Sequence, residues 1–113
     1  MNAKQGQIWW VSNPRASGSE QSGRRPGLVL QNDSANEYLN TTIVAMISSS
    51  GTSDMPEQVC IGVEEGLKRT SHADLSQLFT ISKSRLIQYI GKINSERWID
   101  VEKAIERIFY KTI

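Results

Sequence analysis

The sequence contains one cysteine, Cys60, and one histidine, His72, in 113 residues. A single cysteine excludes an intrachain disulfide and suits a reducing compartment. Within "QVCIGV" it is expected to behave as a small buried hydrophobe. A single histidine excludes a two-histidine acid–base pair. No C-x-x-C, no H-E-x-x-H and no Asp/Glu/His cluster has metal-ligand spacing, so no zinc site is expected. G-x-G-x-x-G and P-loop signatures are missing, so no nucleotide cofactor is expected, and there is no G-x-S-x-G elbow. No apolar run approaches the ~20 residues of a membrane-spanning helix. The start, "MNAKQGQIWW", lacks the apolar centre of a signal peptide. Net charge is only +1, so any attraction for a polyanion has to come from local placement of charge. A hydrophobic content of 38% with 22% charged residues fits a globular chain. The length fits a single domain spanning residues 1–113, expected in the cytoplasm. An enzyme made from this chain would work without metal or cofactor, using Arg, Glu, Ser, Thr or backbone groups.

What is present reads as strands followed by one helix. "QIWWV" (7–11) is aromatic and β-branched, as strands are. Trp9 and Trp10 then point to opposite faces. Residues 12–26, rich in Ser, Gly and Pro, form a loop longer than any simple reversal of the chain needs. Pro26 suits the first position of the next strand, "GLVLQ" (27–31). "NDSANEYLN" is turn chemistry. Further strands are expected at 41–47, 57–63, 74–81 and over "IQYIGKI", with a second loop at "SSSGTSDMP" and a turn at "EEG". "SKSRL" reads as a short helical turn capped by Ser82. Trp98, Val101, Ile105, Ile108 and Phe109 fall on one helical face, which predicts a helix over 95–110 capped by Asn94 or Ser95. The fold class that follows is mainly β: a small, mostly antiparallel, barrel-like sheet with helices packed on it.

The first loop holds the most chemistry. Arg15, Arg24 and Arg25 face one glutamate, Glu20, leaving a surplus of two positive charges between Ser12 and Gly27. These side chains are either solvated loop charges or phosphate donors, since a guanidinium fork can grip two oxygens at once. Arg25 precedes Pro26, which favours an extended backbone and a fixed position at a strand mouth. Ser48 is the first polar residue after the strand that ends at Ile47. It either caps its own turn or, if the second and third strands are neighbours, lies near Arg25, where a hydroxyl could orient a phosphoryl oxygen.

"GQIWWV", "GSEQSGRRPGLVLQND", "TTIVAMISSS" and "GLKRTSHADLSQLFTISKSRL" together resemble the MazF/PemK toxins of bacterial toxin–antitoxin modules. The resemblance spans about residues 6–92. It implies an SH3-like, plasmid-maintenance-toxin barrel, a homodimer, and a sequence-specific endoribonuclease that cuts single-stranded mRNA. It also implies a cognate antitoxin whose flexible tail covers the active site. Catalytic roles would fall on Arg25 of the R-P step, on Ser48, where the family usually has threonine, and on Glu20 of the G-S-E-Q run. Arg15, Ser19, Gln21, Arg24, Gln77 and Phe79 become candidate RNA contacts. Phe79 stands where many members have arginine, and it offers either a ring face for a base or a core-packing ring. Two other readings share this fold: a CcdB-like gyrase poison, and a catalytically inactive interaction module.

Overall fold

The computed structural model describes residues 3–12 and 23–113. Its strands are β1 (Gln7–Ser12), β2 (Arg24–Val29), β3 (Thr41–Ser48), β4 (Gln58–Ile61), β5 (Ser71–Ser82) and β6 (Leu86–Lys92). Helix α1 (Asp33–Tyr38) separates β2 from β3, and α2 (Ser95–Ile108) closes the order. Short 3₁₀ turns occupy Val63–Glu65 and Lys83–Arg85. Among the described residues the strands form one antiparallel sheet ordered β4-β5-β3-β2-β1-β6. The mainly β class with a C-terminal helix is therefore as expected.

Alternation along the strands feeds two apolar clusters. Ile8, Leu28, Ala45, Ile47, Ile61 and Leu75 join Val101 and Ala104 of α2. Trp9, Val11, Val29, Val44, Ile81 and Leu86 fill the other. A period of two sends neighbours such as Ile8 and Trp9 to opposite sides. Trp9 is the buried tryptophan, with its indole N–H donating to Gln7 Oε1 at 2.9 Å and its ring meeting the edge of Tyr89 at 5.9 Å. Trp10 is half-buried.

Several elements differ from expectation in type or bounds. "NDSANEY" contains a short helix, because Asn32 accepts the Ala35 N–H at 2.9 Å and so starts a helix instead of a reversal. The same polar residues serve turns and helix caps. β2 starts at Arg24, three residues before the expected Gly27. Pro26 is tolerated inside it because the ladder to β3 begins only at Gly27↔Met46, so β2 is paired on one side there. β5 starts at Ser71 instead of Asp74, extended by pairing with β4 from Ile61↔Ser71 onward. β4 stops at Ile61 where the 3₁₀ turn begins, two residues before the expected Val63. Cys60 is half-buried and not a core residue, since its neighbours Val59 and Ile61 take the inward positions of β4. Ser82 and Asn94 cap as expected, accepting the N–H groups of Ser84 and Arg97.

Candidate functional site

The β2–β3 ladder (Gly27↔Met46, Leu28↔Ala45, Val29↔Val44) ends two residues short of Arg25 on β2 and of Ser48 on β3. Both line one cleft of about 370 Å³. Its floor includes Trp10, Pro26, Ile47, Leu67 and Ile90, and Lys68 and Arg69 complete its wall. Among the described residues no Asp or Glu lines it. Among the described lining residues three cations and no carboxylate make a local positive potential that the net charge of +1 conceals.

Arg25 is solvent-exposed while its backbone is fixed by pairing with Val11 of β1. Arg24, one residue earlier, stacks on Trp10 with its guanidinium carbon 4.6 Å from the ring centroid. Ser12, the last residue of β1, has its carbonyl gripped by Arg85 Nε at 2.9 Å and Nη2 at 2.5 Å. Arg15, Ser19, Glu20 and Gln21 lie outside the described residues.

Ser48 caps its own turn and also lines the cleft. Its Oγ accepts the Ser50 N–H at 3.1 Å and contacts Ser50 Oγ at 2.7 Å. These bonds restrict a serine rotamer that lacks the β-methyl of threonine. The loop after it is tied down further on. Thr52 N donates to Gln58 Oε1 at 2.8 Å, and Ser53 Oγ lies 2.8 Å from His72 Nε2. Gly51 packs so closely on β5 that a Cβ there would stand 2.6 Å from that of His72. The hydroxyl is therefore presented from a held loop.

Gln77 and Phe79 do not join this cleft. Both are exposed on β5, and Phe79 pairs with Val44. Val44 is four residues from Ser48, roughly 13 Å along the strand at ~3.4 Å per residue. Phe79 is 43% exposed, so its ring is not a core ring.

Sequence reasoning passed over Trp10, Lys68 and Arg69 as site residues. Their signal was a pair of cations two residues after a glycine turn, "EEGLKR". It also missed what holds that turn. The Glu65 carboxylate is buried, accepting Gly62 N and Asn94 N at 2.9 Å each, with Arg97 Nε 2.7 Å away. Arg97 also donates to Cys60 O at 3.1 Å and to Glu64 Oε1 at 2.6 Å. The Glu64 bond raises the Arg97 pKa, with the nearby Glu65 adding to the effect against partial desolvation. In return, Arg97 holds the Glu64 carboxyl below its ordinary value.

The profile of "PemK-like, MazF-like toxin of type II toxin-antitoxin system" matches residues 4–109. The chain is 35% identical over 108 residues to Endoribonuclease EndoA of Bacillus subtilis, covering 94% of this chain and 93% of that one. It is 30% identical over 105 residues to Endoribonuclease MazF of Staphylococcus epidermidis, covering 91% and 88%. Among solved structures, the Mycobacterium tuberculosis toxin MazF-mt6 superposes with a TM-score of 0.77 at 20% identity, over 91% of this chain and 95% of that one. A MazE–MazF structure from Deinococcus radiodurans superposes at 0.79 and 18% identity, over 96% of each chain. The fold, the R-P step at the mouth of β2 and the match over nearly the whole length agree: the chain belongs to the PemK-like, MazF-like toxins of type II toxin–antitoxin systems.

Proposed function

We propose that this toxin is an endoribonuclease that cuts single-stranded mRNA at specific sequences and leaves 2′,3′-cyclic phosphate and 5′-hydroxyl ends. The observation that carries the reading is one cleft lined by both Arg25 and Ser48, with Lys68 and Arg69 beside them and no Asp or Glu among its described lining residues. RNA supplies its own nucleophile, the 2′-hydroxyl, so the protein need only hold the phosphate in line and stabilise the charge that grows on it. Arg25 neutralises the non-bridging oxygens and can pass a proton to the departing 5′-oxygen. The Ser48 hydroxyl donates to a non-bridging oxygen, once the substrate replaces Ser50 Oγ as its partner. Arginine enters the reaction protonated, so it cannot take the 2′-hydroxyl proton as base. Glu20 is the candidate for taking the 2′-hydroxyl proton, which requires an approach of about 2.6–3.2 Å.

The relatives named as endoribonucleases support this reading, as do structures titled as complexes of such an enzyme with its cognate antitoxin. Residues 1–113 then act as one toxin domain, a homodimer in the cytoplasm, silenced when an antitoxin segment occupies the same cleft. Among the described residues no helix is long and apolar enough to cross a membrane.

Purified protein incubated with a long single-stranded RNA in EDTA, with the ends mapped by sequencing, tests the proposal. Discrete cuts bearing 5′-hydroxyl ends are expected. Intact RNA from a folded protein would move the function to gyrase poisoning or to an inactive module.

A further inference from the structure

We infer that Lys68 and Arg69 form a second phosphate subsite, which grips the RNA backbone next to the phosphate being cleaved; this rests on the endoribonuclease reading above. Both side chains are exposed, and both line the cleft that contains Arg25 and Ser48. Among the described residues the ion pairs belong to Arg97, so neither cation is committed to a carboxylate.

The backbone beneath these two side chains is fixed. Gly66 has φ +106°, and a Cβ there would sit 2.8 Å from the Ile90 carbonyl oxygen. Gly91 of β6 abuts the same turn, where a Cβ would come within 2.1 Å of Glu65 O. Leu67 is buried in the core, and Ser71 Oγ donates to Arg69 O at 3.0 Å. The Glu65 carboxylate and Arg97 tie the turn to the start of α2. Two cations with no ion pair among the described residues, on a pinned backbone, form a preorganised anion site, which loses little freedom when a phosphate arrives. A solvated pair of surface charges would need no such anchoring.

A cation on a neighbouring phosphate makes the same contact before and during bond breaking. It should therefore lower KM and leave kcat alone. Each phosphate neutralised on a single strand also adds about 0.7 to the salt slope.

The test compares wild type, Lys68→Ala/Arg69→Ala and Lys68→Gln/Arg69→Gln, with Lys111→Ala, which does not line the cleft, as control. Cleavage is followed between about 50 and 200 mM salt, and thermal melts confirm folding. Both double variants should raise KM several-fold and keep kcat within about twofold. Their salt slope should be smaller by about 0.7, so wild type loses about 2.6-fold more kcat/KM across that range. An unchanged KM and slope would overturn the subsite. So would a fall in kcat at constant KM, which would place the cations on the reacting phosphate itself. If wild type cuts nothing, the cleavage reading fails on its own. Fluorescence anisotropy with a labelled single-stranded RNA then decides the subsite, which stands on the same slope difference and falls if the slopes are equal.

Discussion

Replacing Arg97 by alanine should weaken the fold far more than its place on an exposed helix suggests. The Glu65 side chain is 2% exposed and the Arg97 guanidinium stands 2.7 Å from it. Removing the guanidinium leaves a buried carboxylate with two backbone donors, Gly62 N and Asn94 N. Breaking a buried ion pair from one side costs about 3–5 kcal/mol. The two remaining N–H bonds argue for the lower end, ~3 kcal/mol, out of a total stability of about 5–15 kcal/mol. At ~4 °C per kcal/mol for a domain of this size, the melting midpoint falls by about 12 °C. Thermal and urea melts of Arg97→Ala, Arg97→Ala/Glu65→Gln and Glu64→Gln would measure it. The second substitution should recover part of the loss, because a neutral amide needs no counter-charge. Glu64→Gln should leave the midpoint nearly unmoved, since Glu64 is solvent-exposed and its pair with Arg97 is screened. A drop of less than ~4 °C in Arg97→Ala, about 1 kcal/mol, would refute the idea that this pair clasps the turn.

Other perturbations follow from the same geometry. Gly91→Ala should cost at least ~2 kcal/mol in a urea melt, because its Cβ has to displace the Glu65 backbone carbonyl. Ser48→Ala should lower kcat about 100-fold in RNA cleavage, the usual loss for one donor to a developing oxyanion, while Ser48→Thr keeps the hydroxyl and the rate. Ser50→Ala should lower kcat a few-fold with KM unchanged, because it frees the Ser48 rotamer. Glu64 is held below its ordinary pKa of 4.5 by the Arg97 hydrogen bond, so its small stabilising effect is present above that pH and lost as pH falls. The midpoints of wild type and Glu64→Gln should therefore converge as the pH falls below 4.5.

Much of the fold was legible because it rests on short-range patterns. Aromatic and β-branched residues marked β1 in "QIWWV", the run "TTIVAMI" marked β3, and a spacing of three and four marked α2, whose Asn94 cap sits where expected. The turn reading of "NDSANEYLN" failed because Asn and Asp satisfy a free N–H equally well at a reversal or at a helix start. In the helix that forms, Asn36 is buried and its Oδ1 accepts the Thr42 hydroxyl at 2.7 Å, a contact with the next strand. The ends of β2 and β5 were misplaced for a related reason: β1 and β4 extend them by pairing, and pairing partners are not visible in a local window. The same limit shaped the site. Arg25 and Ser48 could be suspected from a dipeptide and a strand end. Lys68 and Arg69 became visible only when Gly66 turned the chain back against Ile90 and brought them to the same cleft.

The central claim is that Arg25 and Ser48 make this cleft a ribonuclease site, and cleavage of single-stranded RNA in EDTA by wild type and Arg25→Ala tests it most directly. The account predicts discrete cuts with 5′-hydroxyl and 2′,3′-cyclic phosphate ends, reduced at least ~100-fold in a folded Arg25→Ala protein. Arg25→Lys should be impaired as well, because an ammonium cannot grip two phosphoryl oxygens as a guanidinium fork does. Undiminished cleavage by Arg25→Ala, with the same cut sites and the same ends, would contradict it.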